Sequence, residues 1–149
     1  MRLLLCLGFT VGLACASPAF AAATDPLLDG ISKIPGAVED VRIGGTWEKD
    51  GKNGEYRVVI TRSGGDTVTA RLFVQWIAYH DDGGTSVDAT IEIKELAALK
   101  VDVVDYTSES DQEGLSVYLE TIDPNGNADQ NYELHVTSQT EYKFGPASN

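Results

Sequence analysis

Three groups of side chains hold what chemistry this chain has to offer. The first is Asp123-Pro124-Asn125-Gly126-Asn127-Ala128-Asp129, where oxygen-bearing side chains stand at alternate positions. A hard cation such as Ca2+ takes several oxygens from one loop, so Asp123, Asn125, Asn127 and Asp129 are the candidate metal ligands. Ca2+ is the one cofactor the sequence suggests. The same residue types build a tight β-turn, with Pro fixing φ and Asn-Gly tolerating positive φ, and that reading needs no metal. The second group is His80-Asp81-Asp82, which with His135 contains both histidines of the chain. Folded together, imidazole and carboxylate would make a metal or acid–base site, although nothing in their spacing demands it. The third group is Tyr106, Tyr118 and Glu120, where amphipathic rings fall among acidic residues and would offer a partner a contact of low entropic cost.

Nucleophilic and nucleotide chemistry find no foothold. There is no Gly-x-Ser-x-Gly turn, no Gly-x-Gly-x-x-Gly or phosphate loop, and no His-Glu-x-x-His. Close acid pairs such as Asp81-Asp82 are unavoidable among 23 Asp and Glu, and 149 residues leave little chain for the long aromatic cleft of a glycosidase. The sequence therefore reads as a binding protein and not an enzyme. A small hydrolase built on His80 and His135 is the catalytic alternative.

Charge narrows the partner. With 23 acids against 11 Lys and Arg the formal charge is −12, which repels phosphate backbones and excludes nucleic acid. Residues 24–71 carry 8 acids and 7 bases, whereas residues 72–149 carry 15 acids and only Lys94, Lys100 and Lys143. An acidic C-terminal half steers a cationic protein or envelope component toward itself. The candidate contact surface comprises His80, Asp81, Asp82, Tyr106, Tyr118 and Glu120, together with the 80–84 and 123–129 loops. Inhibition of a basic hydrolase such as lysozyme is one concrete form of that role; a calcium-dependent or purely structural envelope module is the alternative.

The elements that must position these residues start with an address. Arg2, the apolar run Leu3–Ala14 and the small-x-small Ala19-Phe20-Ala21 form a secretory signal peptide over residues 1–21, cleaved between 21 and 23. Its removal takes Cys6 and Cys15, the two cysteines present, and leaves no apolar run long enough to span a bilayer. A bacterial periplasmic or secreted location is expected. Residues 22–40 are a short helix or leader, with Leu27, Ile31 and Ile34 on one face and Pro35-Gly36 as a stop. From Val41 the period is two, interrupted by Asp50–Gly54, Ser63–Asp66, Asp81–Gly84, Ser108–Gly114 and Asp123–Asn127. Glu95–Lys100 is a helical crossover. Residues 41–144 are thus predicted to be a single all-β domain, an antiparallel sandwich or small barrel of seven or eight strands joined mostly by hairpins, and 145–149 a tail.

Overall fold

A computed structural model describes residues 25–148, and these fall into two units that part after Lys33. The signal peptide lies outside the described residues. In the first unit, α1 (Pro26–Ser32) forms where the Asp25 side chain accepts the Leu27 amide at 2.9 Å and Pro26 enters the first turn. Lys33 closes it with an ion pair to Asp29 one turn back.

The second unit is all β apart from one helical crossover. Strands β1 (Val38–Lys49), β2 (Lys52–Ser63), β3 (Thr69–Tyr79) and β4 (Thr85–Glu92) form one antiparallel sheet in chain order. Helix α2 (Lys94–Leu99) then carries the chain to β5 (Asp102–Ser110), β6 (Leu115–Ile122), β7 (Gln130–Ser138) and β8 (Glu141–Pro146), a second antiparallel sheet, also in chain order. The eight strands agree with the expected all-β sandwich. β8 runs into the residues read as a tail, because Pro146 pairs with Tyr132 and the Ala147 amide donates to the Asn131 carbonyl.

Alternation explains the core. Val58 and Ile60 of β2, Leu72 and Val74 of β3, Leu115, Val117 and Leu119 of β6, and Leu134 and Val136 of β7 are all essentially inaccessible. Each such side chain contributes about 1.5–3 kcal/mol by leaving water. One end of the layer is closed by Leu96 of α2 with Ile93 and Val101 on either side of it. A left-handed Lys100 (φ 55°) ends that helix and turns the chain into the second sheet.

Bulges alter the simple two-residue period at five places, at Glu39 of β1 and Thr137 of β7 and at the three that follow. In β5, Val103 pairs with Thr121 and Asp105 with Glu120, leaving Val104 as an extra residue. Val103 and Tyr106, three apart, consequently both face the core. Tyr106 is only 4% exposed, which corrects its assignment to the wet face beside Tyr118. In β4, Trp76 pairs with Ala89 but Ile77 pairs with Val87, so Asp88 is unmatched. Val87 stands 49% exposed, whereas Ala89 and Ile91 are half-buried. In β1 the shift falls at Gly44, and the next residue, Gly45 (φ 137°), lies so close to β5 that a Cβ there would run into the Ser110 side chain.

That glycine pair lets β1 run beside β5 at one corner of the sandwich. The Thr46 amide donates to Ser110 Oγ at 2.9 Å, and Arg42 reaches both Asp105 Oδ1 at 3.0 Å and the Tyr106 carbonyl at 3.1 Å. Farther along the corner, Arg62 binds Asp102 at 2.8 Å, Glu39 at 3.0 Å and the Val103 carbonyl. Because Thr46 meets Ser110, the far ends of β1 and β5 coincide. The turns β1–β2, β3–β4, β5–β6 and β7–β8 therefore lie at one end, and β2–β3, α2 and β6–β7 at the other.

Candidate functional site

The two loops expected to form one contact surface are separated by the length of the sandwich. The 80–84 turn joins β3 to β4 at the first end; the 123–129 loop joins β6 to β7 at the second. His80 and His135 do not come together either. His80 Nε2 lies 2.9 Å from Ser86 Oγ within its own hairpin, where the Asp82 carboxylate accepts the Gly84 amide. Asp81 stays exposed beside it.

The 123–129 loop uses its oxygens internally. Asp123 Oδ1 accepts the Asn125 backbone and side-chain N–H groups at 2.8 and 3.0 Å, and Oδ2 accepts the Asn127 amide at 2.7 Å. The Gly126 amide closes the turn on the Asp123 carbonyl. The Asn127 hydrogen bond first, and those from Asn125 after it, hold the Asp123 carboxyl below its ordinary pKa. Both asparagines thus point N–H groups, not carbonyl oxygens, at the carboxylate. Asp129 is exposed, and among the described residues no three His, Cys, Asp or Glu side chains converge as a metal would require.

Tyr118 and Glu120 occupy the outer face of the second sheet, as strict alternation along β6 dictates. The Tyr118 hydroxyl donates to Glu109 Oε1 at 3.1 Å, and this carboxylate raises its pKa. His135 lies across the strand pair: its ring stands edge-on to Tyr118 at 6.3 Å, and its Nδ1 is 2.9 Å from Ser116 Oγ. Glu133 Oε1 is 3.9 Å from its Nε2. Ser116, His135 and Glu133 supply the three group types of a hydrolytic relay, but on a sheet face with the imidazole side chain 42% exposed and the carboxylate beyond hydrogen-bond reach. A solvated polar network is the plain description.

Charge follows the sheets. From Val101 to Asn149 the chain has ten carboxylate side chains, Asp102, Asp105, Glu109, Asp111, Glu113, Glu120, Asp123, Asp129, Glu133 and Glu141, against Lys143 as its one Lys or Arg. Of these ten, Asp102 and Asp105 reach a guanidinium, and both cations, Arg62 and Arg42, come from the first sheet. The remaining eight make no ion pair with Lys or Arg among the described residues. In the first sheet Arg71 pairs with Glu92 at 2.7 Å, and Arg57 binds Gln75, which in turn binds Thr90.

A feature that sequence reasoning missed is the groove at the end where the four hairpin turns lie, about 1490 Å3 in volume. Trp47, Tyr56 and Trp76 line it, and the chain has no other tryptophan. Tyr56 and Trp76 oppose each other on β2 and β3 with rings edge-on at 5.6 Å, and the Trp47 indole N–H donates to the Glu55 carbonyl. Burial raises the Tyr56 pKa, the Trp76 indole opposes that, and nearby Asp111 adds to it. Five carboxylates line the groove, Glu48, Asp50, Asp88, Asp111 and Glu113, against Lys49 and Lys52. Asp88 is the bulge residue of β4 and accepts the Gln139 amide at 2.9 Å, linking the first sheet to the β7–β8 turn. The meeting of these aromatic residues with the 111–114 and 139–140 turns was not legible in the sequence, because it depends on how the two sheets stack.

No protein-family model matches the chain, and no curated protein or solved structure matches it.

Proposed function

We propose that this is an exported, non-catalytic binding protein whose acidic second sheet contacts a cationic protein. The observation that carries the reading is the segregation of charge: ten carboxylates against one lysine after residue 100, with eight of the ten lacking a Lys or Arg partner among the described residues. Carboxylates crowded on one layer repel one another, and their summed field raises the encounter rate of a basic surface. Tyr118, 39% exposed amid Glu109, Glu120 and Glu133, offers an apolar ring inside that field. Export rests on the leader of residues 1–21, and a basic cell-envelope hydrolase of the lysozyme type is the most concrete partner.

The test is capture of basic proteins, lysozyme among them, on the immobilised domain lacking residues 1–21. Retention at low salt and release at about 0.5 M salt is expected, since the Debye length shrinks to a few Å. Glu120→Gln with Glu133→Gln should weaken capture without lowering the melting temperature. Capture indifferent to salt and to these substitutions would refute the reading.

A further inference from the structure

We propose that the groove at the hairpin-turn end receives an extended arginine- or lysine-bearing segment of the partner, with the half-buried Trp47 indole taking the side-chain stem and the carboxylate rim taking the charge. This rests on a cationic protein being the partner, and it gives that protein a specific feature: a protruding basic loop. Three observations bear on the occupant. Half-buried Trp47 faces this groove, and Trp76 and Tyr56 border it from the core, 4% and 6% exposed. Indole is the side chain that guanidinium and ammonium groups prefer as a π-surface, and their methylene stems pack on it. Charge complementarity selects a cation, since five lining carboxylates exceed two lysines. The excess is spread over separate walls: Asp88 on β4, Asp111 and Glu113 on the β5–β6 turn, and Glu48 and Asp50 on the β1–β2 hairpin beside the lysines.

The carboxylates differ in their freedom to meet a ligand. Asp111 Oδ1 already accepts the Glu113 and Gly114 amides, and Asp88 holds Gln139. Glu48, Asp50 and Glu113 make no side-chain hydrogen bond among the described residues, which leaves them as the groups able to turn toward an incoming guanidinium. The bonds at Asp111 and Asp88 keep two walls of the groove fixed before anything binds, so little ordering cost falls on association.

The experiment titrates tetra-arginine into the leaderless protein and follows the emission of Trp47 and Trp76. A saturable change is expected. Glu48→Gln with Glu113→Gln should weaken the apparent affinity by about tenfold, as removal of two opposed rim charges does. Asp66→Asn with Asp129→Asn removes the same charge at the other end of the sandwich and should leave the affinity within about twofold, the size of a screened long-range effect. Absence of a saturable change, or equal weakening by both double variants, would overturn the groove assignment. Capture of basic proteins is scored on the same variants. Capture that survives Glu48→Gln/Glu113→Gln while tetra-arginine fails to bind removes the groove and keeps the acidic sheet; tetra-arginine binding with no basic protein captured keeps the groove and removes the sheet.

Discussion

The buried Tyr106 hydroxyl has no hydrogen-bond partner among the described residues, and its ring lies under the Arg42 guanidinium at 4.4 Å. Leaving a buried donor unsatisfied costs about 1–3 kcal/mol, so Tyr106→Phe is expected to be neutral or stabilising by up to that amount in urea denaturation. A clear loss of stability would mean that the hydroxyl is satisfied after all. Burial, with Asp40 adding to it, pushes the Tyr106 pKa from 10.0 to about 12. The folded state therefore keeps this proton where the unfolded state has begun to lose it. The resulting stabilisation is complete below pH 10 and declines as the pH rises toward about 12. The decline should be smaller in Tyr106→Phe; identical alkaline profiles for the two proteins would contradict the burial. The placement of Tyr118 was legible because β6 alternates without interruption. That of Tyr106 was not, because the extra residue that resets the period is Val104, and a β-branched residue gives no local sign of a bulge.

At the level of elements, turn chemistry was the most readable layer. Asp50 and Gly51 both take positive φ (52° and 74°), the conformation a two-residue hairpin requires, and Asp-Gly is among the strongest sequence signals for it. The β6–β7 loop obeys the same logic, with Asp123 as acceptor for its own asparagines. Asp123→Ala should lower the melting temperature slightly through loss of those exposed bonds, and by the same amount in Ca2+ as in chelator. A shift present only with Ca2+ would restore Asp123, Asn125, Asn127 and Asp129 as a metal site. Strand pairing was less legible than the turns, because β4 is an edge strand whose register depends on a bulge at Asp88 that no glycine marks. An inward-lining acid on an edge strand also discourages pairing with another chain, a recognised defence against edge-to-edge association.

For the molecule as a whole, the uneven charge predicts an effect of salt on stability. Eight carboxylates after residue 100 have no Lys or Arg partner among the described residues, whereas Arg42 and Arg62 join the sheets through Asp105 and Asp102. Repulsion among the many outweighs attraction within the few, so raising NaCl from low concentration to about 0.2 M should raise the melting temperature. A fall would show that the corner ion pairs dominate. The all-β class and the acidic half were legible in the sequence because they are local or additive properties. The groove was not, because it exists only where turns distant in the chain converge. One consequence follows from both sheets running in chain order, with α2 as the sole covalent link between them. Cutting the backbone within α2 would separate no strand from a partner, yet each fragment would be left with an uncovered apolar face. Two such fragments would reassemble as a heterodimer, and the cohesion between the layers would then be readable as a dissociation constant.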